Sequence, residues 1–509
     1  MSRLNPKTQP VTVVQVAAKH NLQLGVSANG NLQFNKEPLQ LLYELAVSTL
    51  FGKGTFYKSS DKLVQELRTN VREAVKMDAL DYVANLAIHA RGEMNIRTIP
   101  IVLVVEFAAA LREQGKTYVN MRSLVRDVIQ RADQINDMYA YSLDVFGDKK
   151  SIPMAIKRGV ADAFNKFGTY AFAKYNRGDA VKFRDVLRIV HPIAKDSKQG
   201  DIFKKIMDES LEAPYTWEVE LSKNGQLPLA EQKTKKDLWT ELVKSGQIGY
   251  MALLRNMRNI VQAGLDPKVV QEFVADVISN PEQVAKSKQL IFDFVEAYKI
   301  IQPLDSKLAT AVSKAIDLSV ANTPKIGEKL WLIVDYSGSM GNNDSIAINT
   351  STLLASALLK ANETADNLAV TMFGTRAKTI HGIDTNNSIL GIQKELLSHR
   401  VGDIAGYTEF DAALAERAKL GFEPDTIIVF TDGEINRFPY ANLRRATGNS
   451  NVVKLAIDMS ASSTTPLIRQ EGWYSVAGWS SAMFKWIPAI RDKSSAVDQL
   501  SGPYKGLVK

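Results

Sequence analysis

The stretch of sequence that decides the fold is Lys329-Leu-Trp-Leu-Ile-Val-Asp335-Tyr-Ser-Gly-Ser-Met340. It opens with a continuous apolar run, which is typical of a β-strand buried on both faces. The run ends on an acid and passes at once into small residues that carry side-chain oxygens. We therefore predict the first strand of a parallel sheet, with a polar loop at its carboxyl end.

Similar apolar runs follow this strand, and helical stretches separate them. The runs are Leu368–Phe373, Thr426–Phe430 and Val452–Ile457. Alternation of strand and helix at this spacing indicates a doubly wound, mostly parallel α/β sheet. The pattern changes after Thr323-Pro-Lys325, so we place this domain at residues 326–509.

Three loops at the carboxyl ends of these strands carry oxygen-bearing side chains. They are residues 335–340, the Gly406-Tyr-Thr-Glu409 loop and the Thr431-Asp-Gly-Glu434 loop. Because such loops converge on one crevice of an open parallel sheet, we expect their side chains to meet there. The candidate metal ligands are Asp335, Ser337, Ser339, Thr408 and Asp432. Hard oxygen ligands with few formal charges favour Mg²⁺ as the bound divalent cation.

This arrangement resembles the metal-ion-dependent adhesion site of von Willebrand A and integrin I domains, whose first loop reads D-x-S-x-S. The resemblance implies two kinds of ligand: Ser337, Ser339 and Thr408 in direct contact with the metal, and Asp335 and Asp432 in contact through water. It also implies an open coordination position for a ligand carboxylate or a water. The chain departs from the usual pattern at Glu409, where the family carries Asp.

Residues 37–322 have a different pattern, because helical periodicity recurs in almost every segment, with Gly, Pro and Asn between segments. A series of short helices predicts stacked antiparallel pairs, an α-solenoid of the HEAT type. We predict one helical domain over residues 1–325, with an irregular arm at residues 1–36. The predicted helices are Asp61–Met77, Ala79–Ala90, Ile99–Arg112, Met121–Gln130, Ile152–Phe167, Ala180–Val190, Lys235–Lys244, Met251–Ala263, Lys268–Ile278, Ser287–Ile300 and Lys307–Val320.

The net charge is unevenly divided between these domains. The chain has 63 Lys+Arg and 55 Asp+Glu; residues 326–509 hold 18 and 19 of them, which leaves 45 and 36, a net charge of +9, for residues 1–325. A basic region beside a neutral one suggests a polyanionic partner for the basic region. An ordinary solvated basic surface is the alternative.

The composition excludes several classes of function. The chain has no cysteine, which rules out disulfides, thiolate zinc sites and cysteine nucleophiles and favours a reducing, cytoplasmic location. The N-terminus lacks the apolar core of a signal peptide. The most apolar stretch, Ile99–Leu111, contains Glu106 and is shorter than the roughly 20 residues of a bilayer span. We therefore expect a buried helix there and no membrane contact.

Two basic stretches stand out within the helical region. In the first, residues 249–265 predict an amphipathic helix whose polar face holds Arg255, Arg258 and Asn259. The stretch contains no acid to pair with these arginines. Unpaired Arg beside Asn suits the phosphates and base edges of nucleic acid. Pairing with acids on neighbouring helices is the structural alternative.

The second basic stretch covers residues 152–191. Its candidate nucleic-acid contacts are Lys157, Arg158, Lys166, Arg184 and His191. Structural alternatives exist here too, since Arg158 and Asp162 at i,i+4 could form a surface ion pair. His191, which precedes a proline, could equally serve only to end a helix.

Four segments are similar to the TROVE module of the Ro autoantigen family and occur in that family's order. They are Leu45–Tyr57 (with Gly52-Lys-Gly-Thr-Phe-Tyr57), Ile156–Phe167, Phe183–Pro192 and Ala252–Ile260. The most specific pieces are Arg184-Asp-Val-Leu-Arg-Ile-Val-His-Pro192 and Leu253-Leu-Arg-Asn-Met-Arg-Asn-Ile260. The α/β domain follows these segments, as a von Willebrand A domain does in that family.

The resemblance implies a ring of HEAT-like helices closed by the von Willebrand A domain. It implies that small Y-like noncoding RNA binds the outer basic surface, at Lys157, Arg158 and His191, and that single-stranded ends of misfolded RNA enter a central hole. A protein of this kind acts in noncoding RNA quality control or decay and is not an enzyme. We expect a monomer, and a bacterial member would be tethered to an exoribonuclease such as polynucleotide phosphorylase.

Two other classes of function remain open. In the first, the protein is an adaptor whose cation site captures an Asp or Glu of a partner protein. In the second, it is a hydrolase or nucleotidase. Against an enzyme, Gly52-Lys-Gly-Thr55 lacks the spacing of a Walker loop, and the five histidines show no metal-ligand spacing.

Overall fold

Tertiary contacts divide the protein into two compact units. The sheet unit comprises residues 1–63 and 320–499, and the helical unit comprises residues 64–319 and 500–509. Within these bounds the computed structural model describes residues 13–26, 32–48, 60–176, 181–287, 289, 291–320, 326–362, 367–399, 404, 406–435, 452–459, 464–467, 472–477 and 500.

The described elements are mostly helices, with nine strands. The helices are α1 (Val13–His20), α2 (Pro38–Ser48), α3 (Ser60–Lys76), α4 (Leu80–Gly92), α5 (Ile99–Glu113), α6 (Met121–Val128), α7 (Asp133–Phe146), α8 (Met154–Phe164), α9 (Thr169–Tyr175), α10 (Phe183–Val190), α11 (Ser197–Met207), α12 (Trp217–Gln226), α13 (Lys235–Lys244), α14 (Tyr250–Gln262), α15 (Pro267–Val270), α16 (Asp276–Ile278), α17 (Pro281–Ser287), α18 (Ile291–Ile301), α19 (Ser306–Ser319), α20 (Ile346–Ala361), α21 (Ile389–Ser398) and α22 (Phe410–Ala415). The strands are β1 (Leu24–Val26), β2 (Leu32–Asn35), β3 (Leu330–Asp335), β4 (Leu368–Phe373), β5 (Ala377–Ile380), β6 (Thr426–Thr431), β7 (Val453–Asp458), β8 (Thr464–Thr465) and β9 (Trp473–Ala477).

Six strands form the main sheet, in the order β5-β4-β3-β6-β7-β9. All neighbours are parallel except the edge strand β5, which runs antiparallel to β4. Every residue of β3, β4 and β6 is buried, which accounts for their continuous apolar runs. The predicted mostly parallel, doubly wound sheet is confirmed. Because β4 and β6 lie on opposite sides of β3, the carboxyl end of β3 opens a crevice at a topological switch point.

The N-terminal segment is a structured part of the sheet unit, so the prediction of an irregular arm was wrong for its described residues. Strands β1 and β2 form a hairpin, and β2 also pairs with β8, so that Phe34 lies opposite Thr465. Phe34 is fully buried and belongs to the same apolar cluster as Trp331 and Phe373 of the main sheet. Sequence reasoning missed these strands because each is only three or four residues long and their partners lie far along the chain.

This pairing also moves the domain boundary. We predicted a helical domain over residues 1–325, whereas residues 1–63 group with the sheet unit and the helical unit begins at residue 64. The physical reason is that β2 completes a sheet with a strand from the C-terminal part of the chain.

A buried ion-pair triad further ties the N-terminal segment to the main sheet. The Nζ of Lys36 donates to Glu44 Oε2 at 2.5 Å and to Asp458 at the end of β7. Burial by itself lowers the pKa of Lys36, but the charges of Asp458 and Glu44 outweigh burial and raise the pKa above its usual value. Lys36 is therefore held in its charged form inside the sheet unit.

Helix α5 supplies much of the core of the helical unit. Every residue from Ile99 to Leu111 is buried, which confirms the predicted buried helix. Its acid, Glu106, accepts hydrogen bonds from Arg68 Nη2 at 2.9 Å and Tyr141 Oη at 2.7 Å, and Arg72 Nη1 lies 3.3 Å away. Burial raises the pKa of Glu106, but these donors outweigh burial and hold the pKa below its usual value.

Most predicted helices are confirmed with small shifts in their ends, and Lys235–Lys244 has the predicted bounds. Residues 268–278 differ, because a π-helical turn at Gln271–Ala275 separates α15 from α16. Helix α7 has no predicted counterpart, since buried Gln134 and Asn136 interrupt its apolar stripe.

Among the described helices, none combines the length and apolar character that crossing a membrane requires.

Candidate metal centre and basic helical surface

The three polar loops meet at the carboxyl edge of the main sheet. Asp335 ends β3, and its Oδ2 accepts a hydrogen bond from Thr431 Oγ1 at the end of β6, at 2.7 Å. The N–H of Gly338 donates to the carbonyl oxygen of Gly406 at 2.7 Å. The first loop is thus bonded to both the second and the third.

The first loop places two hydroxyls side by side. Asp335 Oδ1 accepts from the N–H of Ser337 at 2.9 Å, which fixes the turn after the strand. The Oγ atoms of Ser337 and Ser339 lie 3.1 Å apart. Adjacent ligands of an octahedral Mg²⁺, each ~2.1 Å from the ion, lie about 3.0 Å apart, so this spacing suits two direct ligands.

The second loop holds Thr408 at the crevice with its side chain almost fully buried. The preceding residue anchors the loop, because the N–H of Tyr407 donates to Thr375 Oγ1 at 3.0 Å. Gly406 has a φ of +127°, and a Cβ at this position would lie 2.5 Å from Thr375 Oγ1. Only glycine therefore allows this close approach.

The third loop brings in a second fully buried carboxylate, Asp432. Its Oδ1 accepts from the N–H of Glu434 at 3.0 Å. The carbonyl oxygen of Gly433 accepts from Gln33 Nε2 on β2 at 2.7 Å. Sequence reasoning missed Gln33, because no local pattern marks a residue that supports a loop 400 positions away.

The electrostatics of the crevice favour a cation. Burial, and then the charge of Asp432, raise the pKa of Asp335 to about 7. Two buried carboxylates that lie close together destabilise each other's ionised form, and a divalent cation would relieve that repulsion. Within the described ranges, no three His, Asp or Glu side chains are grouped as metal ligands. A cation here would therefore depend on the serine and threonine hydroxyls as well, a donor set that fits Mg²⁺.

In the helical unit, the structure tests the alternative in which Arg158 forms a surface ion pair. Asp162 does not pair with Arg158; it accepts from Arg122 Nε at 2.6 Å and Nη2 at 2.8 Å. The local i,i+4 alternative is therefore wrong. Arg158 is exposed on α8 and has no ion-pair partner in the described part of the chain.

Two other predicted contacts are engaged within the protein. The Nζ of Lys166 donates to the carbonyl oxygens of Arg126, at 2.8 Å, and of Ile129, near the end of α6, and burial lowers the pKa of Lys166. Arg184 Nη1 lies 2.7 Å from Glu209 Oε2. These internal bonds hold both side chains in place, and the ion pair with Glu209 offsets the positive charge that Arg184 would present to an RNA phosphate.

His191 ends α10 in the left-handed conformation, with a φ of 46°, and its side chain is exposed. The following loop is tied to the end of α8, because Asn165 Nδ2 donates to the carbonyl oxygen of Ile193 at 2.9 Å. Lys157, half-buried, precedes Arg158 on α8, which packs against α10. Two neighbouring helices thus carry Lys157, Arg158 and His191.

Helix α14 exposes all three of its predicted contacts. Arg255, Arg258 and Asn259 are exposed, and neither arginine has an acidic partner among the residues that the structure describes. Asn259 Nδ2 donates to the buried Asn256 Oδ1 at 2.9 Å, which orients the Asn259 amide. On its apolar face, the helix buries Leu253, Leu254, Met257 and Ile260.

Comparisons with known proteins agree with this architecture. Residues 210–325 match the family model of the TROVE domain. The RNA-binding protein RO60 of Deinococcus radiodurans is 23% identical over 428 residues, which are 75% of this chain and 78% of that protein. The crystal structure of the Deinococcus radiodurans RO (RSR) protein covers 90% of this chain and 100% of its own, with a TM-score of 0.60 at 18% identity, which shows a shared fold.

A shorter similarity links the chain to Telomerase protein component 1 of Mus musculus, at 32% identity over 103 residues. That stretch is 20% of this chain, and the match spans only 4% of the length of the telomerase protein.

The chain thus matches the TROVE family model over residues 210–325 and shares the fold of the Deinococcus radiodurans RO protein; in this chain, helices accompany a mostly parallel α/β sheet.

Proposed function

We propose that this protein is an RNA-binding protein that takes small, Y-like noncoding RNA on the basic surface of its helical unit. The observation that carries the proposal is a set of exposed arginines that have no carboxylate partner among the described residues, namely Arg158, Arg255 and Arg258. An exposed guanidinium with no internal acid is available to a phosphate or a guanine edge. The similarity to a protein named for RNA binding supports this interpretation.

The proposal extends to the role of the complex. A protein that holds one structured RNA and the single-stranded ends of misfolded RNA acts in noncoding RNA quality control or decay. It works as a scaffold without catalysis of its own, and an exoribonuclease such as polynucleotide phosphorylase supplies the degradation. Cytoplasmic location and a monomeric state belong to the same proposal.

The sheet unit has a separate role in this proposal. Ser337, Ser339 and Thr408 hold Mg²⁺ directly, while Asp335 and Asp432 orient its water ligands. The 3.1 Å spacing of the two serine hydroxyls and the buried carboxylates support a cation here. A metal-dependent adaptor that captures a partner's carboxylate is the second candidate function, and it is compatible with RNA binding.

Filter binding of a small hairpin-containing noncoding RNA tests the first candidate. The variant Lys157→Glu/Arg158→Glu should bind more weakly than wild type. A plot of the logarithm of its RNA-binding constant against the logarithm of the salt concentration should be less steep by roughly 1 to 2. Each contact that is lost with a duplex phosphate lowers this slope by about 0.9. The matched control is Lys149→Glu/Lys150→Glu, which makes the same charge change at two exposed residues of the preceding turn.

Wild-type protein that fails to bind RNA even at low salt would refute the function. Equal losses in the two double variants would mean that net charge alone, and not the α8 surface, governs binding.

A further inference from the structure

The loop that carries Asp432 is held from the far end of the sequence by one side chain, that of Gln33. Gln33 lies on β2 and is only 3% exposed. Its Nε2 donates to the carbonyl oxygen of Gly433, the residue after Asp432, at 2.7 Å. A buried amide that loses such an acceptor is left unsatisfied, so the bond holds the loop and the hairpin together.

The same glycine begins a chain of hydrogen bonds that ends on Asp335. The N–H of Gly433 donates to Thr431 Oγ1 at 3.1 Å, and this hydroxyl donates to Asp335 Oδ2 at 2.7 Å. Because the hydroxyl has a single proton and already accepts the glycine N–H, that proton is directed to the carboxylate. A displacement of Gly433 would therefore disturb the bond that orients Asp335.

Asp432 itself moves with Gly433, since the turn that contains both is closed by its own hydrogen bonds. Asp432 Oδ1 accepts from the N–H of Glu434 at 3.0 Å, and the carbonyl oxygen of Gly433 also accepts from the N–H of Ile435 at 2.9 Å. Mg²⁺ requires nearly ideal octahedral geometry. The position of this turn therefore affects both carboxylates of the candidate metal centre.

The β1–β2 hairpin that presents Gln33 is anchored at one end and open at the other. Next to Gln33, the fully buried Phe34 packs in the core of the sheet unit. At the outer end, Val26 and Leu32 lie opposite each other and are 64% and 44% exposed. Strands of three and four residues are not stable alone. The hairpin thus depends on its contacts with the rest of the sheet unit, among them the bond from Gln33.

We propose that Gln33 is a positioning residue of the cation site and that the β1–β2 hairpin and the bound cation stabilise each other. When Gln33 holds Gly433, both buried carboxylates are fixed in the arrangement that favours a divalent cation; when the bond is broken, the turn relaxes and the affinity falls. By linkage, a cation that binds more tightly to the docked hairpin also stabilises the docked hairpin.

This proposal rests on the cation site of the proposed function. It adds control of that site by a residue 400 positions away in the sequence.

Isothermal titration calorimetry of the full-length protein with Mg²⁺ tests the role of Gln33. Gln33→Ala should weaken Mg²⁺ binding by about tenfold or more, because loss of a residue that orients metal ligands typically lowers metal affinity about 10- to 100-fold. Gln33→Met keeps most of the side-chain volume without the donor, and it should lose affinity to a similar extent. The matched control is Gln23→Ala, at an exposed glutamine just before β1, which should bind Mg²⁺ as wild type does.

Hydrogen exchange followed by mass spectrometry gives a measurement that needs no variant. In the wild-type protein, Mg²⁺ should slow exchange in the peptide that contains β1 and β2 and leave the α5 peptide unchanged. In Gln33→Ala, the hairpin peptide should no longer respond, even at Mg²⁺ concentrations that saturate the variant.

The possible outcomes separate this role from the cation site itself. Equal Mg²⁺ affinity of Gln33→Ala and Gln23→Ala would overturn the positioning role while the cation site stands, even if Gln33→Ala melts at a lower temperature. Hairpin exchange that Mg²⁺ leaves unchanged in wild type would overturn the mutual stabilisation. Absence of Mg²⁺ binding by the wild-type protein would instead remove the proposed cation site, and the role of Gln33 with it.

Discussion

At the scale of single residues, Asp335 shows how a strand end is prepared for a cation. One carboxylate oxygen accepts from the N–H of Ser337 and the other from the hydroxyl of Thr431. These bonds fix the carboxylate, yet burial and Asp432 still raise its pKa to about 7. Hydrogen bonds orient the group but leave its charge uncompensated, which a divalent cation would correct.

Removal of the two serine hydroxyls should therefore abolish stabilisation by metal. Mg²⁺ should raise the melting temperature of the wild-type protein by a few degrees relative to the same protein in a chelator. A ligand that binds only the folded state stabilises that state by about 2.7 kcal/mol when its concentration is a hundred times its Kd. Ser337→Ala/Ser339→Ala should show no such rise. The measurement is a thermal shift with and without Mg²⁺.

Ser398→Ala, at an exposed hydroxyl on α21, is the matched control and should respond to Mg²⁺ as wild type does. An equal rise in the Ser337→Ala/Ser339→Ala variant would place the cation elsewhere. RNA binding by that variant separates the two candidate functions, because an adaptor site can be lost while RNA binding is kept.

At the scale of secondary-structure elements, the placement of α8 depends on one glycine. Helices α6 and α8 pack so closely that a Cβ at Gly159 would lie 2.5 Å from Val125 Cβ and 2.6 Å from the carbonyl oxygen of Arg122. Arg122 also forms the bidentate pair with Asp162 across the same interface. Gly159 therefore fixes the helix that presents Lys157 and Arg158.

Gly159→Ala should destabilise the helical unit by about 1–3 kcal/mol, since the added methyl group meets backbone and cannot be relieved by rotation of a side chain. Urea unfolding followed by circular dichroism measures the loss. Gly92→Ala is the control, because a Cβ at the end of α4 meets nothing within 4 Å. Equal stability of the two variants would show that α6 and α8 can separate without cost.

At the scale of the whole molecule, the sheet unit is assembled from both ends of the sequence. Strand β2 pairs with β8, Gln33 supports the Asp432 loop, and Lys36 joins Glu44 to Asp458. The helical unit occupies the sequence between these parts. A chain that began at residue 326 would thus lack a strand and a counter-ion of its own sheet unit.

Lys36→Met tests this dependence. The substitution leaves the carboxylates of Glu44 and Asp458 without their shared cation, and breaking a buried ion pair in this way costs about 3–5 kcal/mol. The free energy of unfolding can be measured in urea, with hydrogen exchange of the β6 and β7 peptides to localise the effect to the sheet unit.

Lys19→Met makes the same change at an exposed lysine of α1 and should shift stability by no more than about 0.5 kcal/mol. Adding Glu44→Gln and Asp458→Asn to Lys36→Met should recover part of the loss, because the stranded charges are then removed. A Lys36→Met protein as stable as Lys19→Met would contradict the structural role of the triad.

The sequence by itself determined the parallel strands, most helices and the loop residues from 335 to 432, because these depend on local periodicity and on strand ends that topology brings together. Only the tertiary structure decided the partners of charged side chains. It assigned Asp162 to Arg122 and Glu209 to Arg184, and it brought Arg91 close to Arg97 and Arg131 from separate parts of the sequence. The β1–β2 hairpin could not be predicted from the sequence either, because two strands of three and four residues gain their stability from a distant strand and a shared core. Pairing across long separations leaves no local pattern, because it depends on which surfaces the folded chain brings into contact.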